Sequence, residues 1–206
     1  MSRNFILQKK PLNNFDEIKS NSLNENSNEE IQNGSISQNK NINLENNQFL
    51  FFNSSLINEN NINQISPFLI MDQNGSRLLQ IKLRNNKKFT NDVFFPYLCK
   101  NYSEKEFINL MCDQFGNYLF QTVIDVLSIE NLDIFLNIIE NNFYLIGINT
   151  YGTRVLQKLI SIIENKKDIL DKFNQLLFKS IDKLILTSHG NHIIQKYLEK
   201  IPFPKK

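Results

Sequence analysis

One short phrase occurs four times in the 206 residues, and this recurrence restricts the fold more than any other feature of the chain. Asp72–Leu83 carries Gly75-Ser76-Arg77-Leu78-Leu79-Gln80, and Asp113–Asp125 carries Gly116-Asn117-Tyr118-Leu119-Phe120-Gln121. Asn149–Ile160 carries Gly152-Thr153-Arg154-Val155-Leu156-Gln157, and Thr187–Leu198 carries Gly190-Asn191-His192-Ile193-Ile194-Gln195. Each time a Gly leads a small polar residue, a flat polar or aromatic one, two apolar residues and Gln. Glycines spaced by roughly forty residues or slightly fewer are the mark of a helical repeat array.

A Gly followed by Ser, Asn or Thr makes a reasonable helix start, because a small polar side chain can satisfy orphan amides. In the helix that follows, residues four apart share a face, which pairs Ser76 with Gln80, Asn117 with Gln121, Thr153 with Gln157 and Asn191 with Gln195. Arg77, Tyr118, Arg154 and His192 sit about 100° further round. The two apolar residues, in the fourth copy Ile193 and Ile194 with Leu198, point into the packing. Each copy thus offers two side chains that can hydrogen-bond an edge and one flat group that can stack, a combination that suits an unstacked base. Solvated surface residues have no reason to repeat the same pair four times in register.

Between the phrases the apolar spacing stays at three and four. Ile62, Ile65, Leu69 and Ile70 precede the first phrase, and Phe107, Leu110 and Met111 precede the second. Leu132, Phe135, Leu136, Ile138 and Ile139 follow the second, while Ile169, Leu170, Phe173, Leu176 and Leu177 follow the third. Ile181, Leu184 and Ile185 lead into the fourth. These stripes predict amphipathic helices packed in layers, and no strand alternation competes with them. The expected fold is an all-α solenoid over 61–206, with units near 61–100, 101–140, 141–178 and 179–206. Residues 1–60 are rich in Asn and Ser with few apolar residues apart from Phe49–Phe52, a composition that predicts disorder. The Phe cluster is read as an apolar patch packing loosely on the first helices in preference to a docking motif.

Net charge is only +2, so the total gives no electrostatic argument for nucleic acid. Split near Ser66, the front holds five basic and seven acidic residues and the remainder eighteen and fourteen, a mild basic excess on the helical part. Cys99 and Cys112 have no CxxC spacing and no close His, and read as two buried thiols of a reducing compartment. The N-terminal apolar run is too short for a signal peptide, and no stretch approaches the ~20 apolar residues of a membrane helix. The expectation is a cytoplasmic protein with no membrane, metal or cofactor partner.

The four phrases resemble the repeats of the Pumilio (PUF) family of RNA-binding proteins, and their order resembles the first four repeats of that family's eight. The resemblance covers roughly Asn61 to the C-terminus. It implies a right-handed α-solenoid of three-helix repeats, each reading one base of a single-stranded RNA. On this reading Ser76 and Gln80, Asn117 and Gln121, Thr153 and Gln157, and Asn191 and Gln195 meet base edges. Arg77, Tyr118, Arg154 and His192 stack. The family's pairing of Asn/Gln with uracil and of a small residue with Gln with adenine, read antiparallel, implies 5′-UAUA-3′. Thr153 departs from the usual Cys or Ser by one methyl group.

The resemblance implies messenger RNA 3′ untranslated regions as the partner and post-transcriptional regulation as the role, with no DNA expected. Lys82, Lys158 and Lys196 either approach phosphates or are surface charges without a partner. His189 precedes Gly190 and helps the turn or faces solvent. The chain stops at Lys206, just after the fourth base-reading helix, which predicts either a truncated or split form of a longer protein or a partner protein covering an uncapped last repeat. Half an array should bind weakly, since stacking worth about 1–3 kcal/mol per base is set against an association cost of about 4–15 kcal/mol. A helical scaffold for protein partners and a non-functional half array are the competing readings. Two histidines, with no metal spacing, nucleophile motif or phosphate loop, leave no catalytic constellation, so no enzyme is expected.

Overall fold

The computed structural model describes residues 57–201. Most of the leader expected over 1–60, including Phe49–Phe52, lies outside those residues, as do Pro202 and Pro204. Ile57 is buried with Ile62 and Ile65 ahead of the first helices. Among the described residues every element is helical.

The first unit runs through helices Pro67–Met71 and Gln73–Asn85, then a third layer of Lys87–Phe89, a π-helical turn Thr90–Phe94 and Phe95–Asn101. The wide turn has a local cause. Pro96 cannot donate an amide to a carbonyl four residues earlier, and the chain relaxes to an i→i+5 bond from Phe95 N–H to the Thr90 carbonyl. The second unit consists of Glu104–Met111, Gly116–Val126 and Ile129–Ile139. The third opens with a 3-10 turn, Glu140–Asn142, that leads into Phe143–Ile148 and Gly152–Ile163. The helix Lys167–Leu184 then crosses the unit boundary expected at 178/179 without a break and delivers the chain to Ser188–Lys200. Its front half reaches back to the second unit through Lys172 and Asp133, and its end packs on the fourth unit through Leu184.

The four glycine helices (Gln73–Asn85, Gly116–Val126, Gly152–Ile163 and Ser188–Lys200) pack side by side in sequence order. Each is started by a side chain three residues before its Gly, not by the small polar residue after it. Asp72 Oδ1 accepts from the amides of Asn74 and Gly75, and Asp113 Oδ1 from those of Phe115 and Gly116. Asn149 Oδ1 does the same for Tyr151 and Gly152, and Thr187 Oγ1 accepts from Gly190.

The glycines themselves are dictated by close approach. A Cβ on Gly75, Gly116, Gly152 or Gly190 would overlap the backbone carbonyl oxygen of the residue six positions earlier, respectively Leu69, Leu110, Ile146 and Leu184. The start of every glycine helix therefore lies directly on the end of the helix before it.

One continuous hydrophobic core runs through all the units. Its aromatic residues meet edge to face, Phe107 on Phe120 at 4.9 Å and Phe143 on Phe173 at 5.4 Å between ring centroids. The first two units are also clamped by Asn91. Its Nδ2 donates to the Val126 carbonyl, and its Oδ1 accepts from the Ser128 amide and from Asn131 Nδ2. Two residues expected in the packing face outward instead: Ile185 is 54% exposed and Leu198 49%. The helix Lys167–Leu184 ends just before Ile185, and in the fourth glycine helix Tyr197 takes the inward place. Tyr197 stacks on Phe173 and donates its hydroxyl to Asn174 Oδ1.

Candidate nucleic-acid interface

In the first three glycine helices the residue after the Gly is not presented to solvent. Ser76, Asn117 and Thr153 are 1%, 0% and 3% exposed. Burial demands hydrogen-bond partners, and the two chemical types find them differently. The hydroxyls reach forward to the next unit: Ser76 Oγ donates to the Phe115 carbonyl and Thr153 Oγ1 to the His189 carbonyl. The Asn117 amide turns back on its own helix start, Nδ2 donating to the carbonyls of Asp113 and Gln114.

The glutamine one turn later rests on this buried group. Gln80 Nε2 donates to Ser76 Oγ at 3.2 Å, Gln121 Nε2 to Asn117 Oδ1 at 3.0 Å, and Gln157 Nε2 to Thr153 Oγ1 at 3.4 Å. All three glutamines are half-buried. One N–H of each amide is held inward, which leaves Oε1 and the second N–H for an edge outside. The small polar residue thus orients the glutamine from behind while the glutamine occupies the surface. Among the described residues the fourth pair is not joined in this way: Asn191 is half-buried and Gln195 exposed.

The flat residues are all on the outside. Arg77, Arg154 and His192 are exposed, and Tyr118 is 46% exposed. Two of them are linked, with Arg154 Nη1 donating to the Tyr118 hydroxyl at 3.2 Å, while the Arg154 guanidinium lies 5.9 Å from the Tyr151 ring centroid. Tyr118, Gln121, Arg154 and Gln157 line a single shallow groove together with Lys158, Ser161 and Lys196. Donors, acceptors and stacking faces of two successive units therefore stand together on one surface, with two cations beside them.

Of the three lysines singled out by sequence, only Lys158 and Lys196 reach this groove. Lys158 pairs with Asp125 of the preceding glycine helix, and Lys196 with Glu199 on its own. Lys82 instead places its ammonium over the Phe89 ring, 5.4 Å from the centroid. His189 bridges back to the third unit, its Nε2 3.0 Å from Thr150 Oγ1. Sequence reading missed the capping side chains three residues before each Gly, although Asp, Asp, Asn and Thr recur there. It also missed Asp125, which carries no motif of its own.

Comparison with known proteins agrees with this arrangement. Residues 69–87, 106–139 and 142–166 match the Pumilio-family RNA binding repeat. The chain is 36% identical over 139 residues to suppressor protein MPT5 of Saccharomyces cerevisiae, an overlap of 64% of this chain and 16% of that protein. It is 33% identical over 135 residues to a Pumilio domain-containing protein of Schizosaccharomyces pombe, covering 66% of this chain and 16% of the relative. The chain thus spans about a sixth of the length of these relatives.

Among solved structures, the RNA-binding domain of yeast Puf5p bound to SMX2 RNA superposes with a TM-score of 0.59 at 29% identity, covering 72% of this chain and 41% of that one. The Puf4 RNA binding domain bound to the HO endonuclease RNA 3′ UTR recognition sequence gives a TM-score of 0.57 at 31% identity, covering 65% of this chain and 40% of that one. Repeated glycine helices, their oriented glutamines and these similarities lead to one conclusion: the chain carries repeats of the Pumilio (PUF) type.

Proposed function

We propose that this chain binds single-stranded RNA sequence-selectively, one base to each glycine helix, and acts on 3′ untranslated regions of messages in the cytoplasm. The observation that carries this reading is the groove in which Tyr118, Gln121, Arg154 and Gln157 meet. An amide with one N–H tied down and its oxygen free offers a directional edge contact, and the exposed flat groups offer stacking faces for the bases on either side. Support also comes from the solved relatives, Puf4 and Puf5p, whose RNA-binding domains were captured on RNA. The implied order of bases is 5′-UAUA-3′. Ser76, Asn117 and Thr153 discriminate among bases chiefly by the shape and polarity they place behind their glutamines, and Asn191 meets a base edge beside Gln195.

The test is the affinity for 5′-UGUAUAUA-3′ against the same RNA with its last four bases scrambled, measured at one stated salt concentration. Preference for the intact sequence is expected, and equal affinity would overturn the base assignments. Asn191→Ser combined with Gln195→Glu should move the fourth position toward guanine. Retained uracil preference there would remove Asn191 and Gln195 from the readout.

A further inference from the structure

We propose that the cationic side of the groove is a phosphate site, where Lys158 and Lys196 hold the phosphodiester joining the nucleotides of the third and fourth units. In the absence of a strand, Asp125 and Glu199 occupy these lysines. The inference rests on the RNA-binding reading above and adds to it a backbone contact confined to one end of the array.

Its basis is an asymmetry between units. Six residues after the Gly, the first two glycine helices carry Ile81 and Thr122, whereas the last two carry Lys158 and Lys196. Both lysines line the groove that contains the glutamines. Their side chains are only 31% and 26% exposed, so packed stems hold the ammonium groups at this edge. Each ammonium has one carboxylate partner, Asp125 at 2.5 Å and Glu199 at 3.1 Å.

A phosphodiester presents what those carboxylates present, one negative charge shared over two oxygens. The carboxylates are the more exposed partners, Asp125 at 36% and Glu199 at 62%, so releasing them to solvent when phosphate takes their place costs the fold little. A strand whose bases face the glutamines passes its backbone along one wall of the groove, and this is the wall with cations. Lys82, held over Phe89, offers no equivalent at the first unit. Asp125 is therefore a competitor for the phosphate and Lys158 its ligand.

Binding of 5′-UGUAUAUA-3′ across a salt series, for the full chain and its variants, tests the assignment. The double variant K158Q/K196Q is expected to bind more weakly and to flatten the slope of log affinity against log salt by about 0.7, the value for one phosphate on a single strand. Its preference for intact over scrambled RNA should be unchanged. D125N, which removes the competitor, is expected to bind several-fold more tightly at low salt. An unchanged slope in the lysine variant, or weakened binding in D125N, would overturn the phosphate site. Absence of any preference in the unmodified chain would instead reject the base readout, a distinguishable result. Circular dichroism of each variant separates these outcomes from loss of the fold.

Discussion

Arg154 donates to the hydroxyl of Tyr118 across the boundary between the second and third units, so two side chains suited to stacking are joined to each other before any base arrives. The bond fixes where two long, exposed groups stand and reduces the rotamer freedom each would lose on binding. A base entering between them keeps both faces but must break or stretch this one hydrogen bond.

Replacing Tyr118 separates the two contributions. Tyr118→Phe keeps the ring and removes only the acceptor for Arg154, so RNA affinity is expected to stay within about fivefold of the starting value, the equivalent of a bond worth about 0.5–1 kcal/mol. Tyr118→Ala removes the stacking face and should cost about 1–3 kcal/mol. Fluorescence anisotropy with labelled RNA reads both, and an alanine variant that binds as well as the original chain would take Tyr118 out of the stacking set.

The glycines differ in how much a methyl group would disturb them. At Gly116 the obstacle is the backbone carbonyl of Leu110, which cannot move without shifting a helix end. At Gly147 the nearest atoms are the tips of Leu184 and Ile193, at 2.7 Å and 3.0 Å. Gly116→Ala should destabilise by about 2–4 kcal/mol, and Gly147→Ala by clearly less, because side-chain ends can rotate aside. Urea midpoints at constant m-value measure the difference, and equal losses would contradict the close-approach account.

Two polar contacts between units should prove unequal. Asn91 satisfies the Val126 carbonyl, the Ser128 amide and Asn131 together, and Asn91→Ala is expected to cost about 2 kcal/mol or more. The pair Lys172 and Asp133 is half-exposed, and Lys172→Ala should cost under about 1 kcal/mol. Thermal melts of the two variants at matched pH decide the order.

Burial pushes the thiols of Cys99 and Cys112 up to about 12. The folded chain therefore keeps both as neutral thiols at pH 8, while an exposed cysteine near its ordinary pKa is partly thiolate there. Alkylation by iodoacetamide at pH 8 should be slow in the native protein and rapid in urea. Because the folded values are raised, unfolding releases protons from these thiols as pH climbs past the unfolded pKa, and stability should decline from that pH upward through the folded value. Both cysteines are half-buried where the sequence predicts full burial, and rapid native-state labelling would contradict even this partial shielding.

The fold was legible because the phrase with its Gly and Gln recurs, and because apolar residues at spacings of three and four flank each copy. Less legible was which polar residue did what. Ser76, Asn117 and Thr153 look like outward-facing residues in the sequence, since nothing in a single helix distinguishes a small polar side chain at its surface from one covered by its neighbour. The neighbour decides: Phe115 and His189 bring backbone carbonyls to Ser76 and Thr153 across the stack. Leu198 was misplaced for the related reason that a helical face is wider than its inward stripe, and Tyr197 fills the inward position. The reason for each glycine was readable in principle, from a buried aliphatic residue recurring six positions earlier, but only packing shows that its carbonyl is the point of contact.

The uninterrupted helix Lys167–Leu184 gives the array a stiff end and a jointed one. Between the first and second units the chain passes through two extended residues, Tyr102 and Ser103, where small backbone rotations can alter the angle. Between the third and fourth units a single rod spans both, so the non-helical joints there are confined to its two ends, at Lys166 and at Thr187. On the proposed reading, the spacing between the last two base sites is carried by one continuous rod, while the spacing between the first two depends on an extended link.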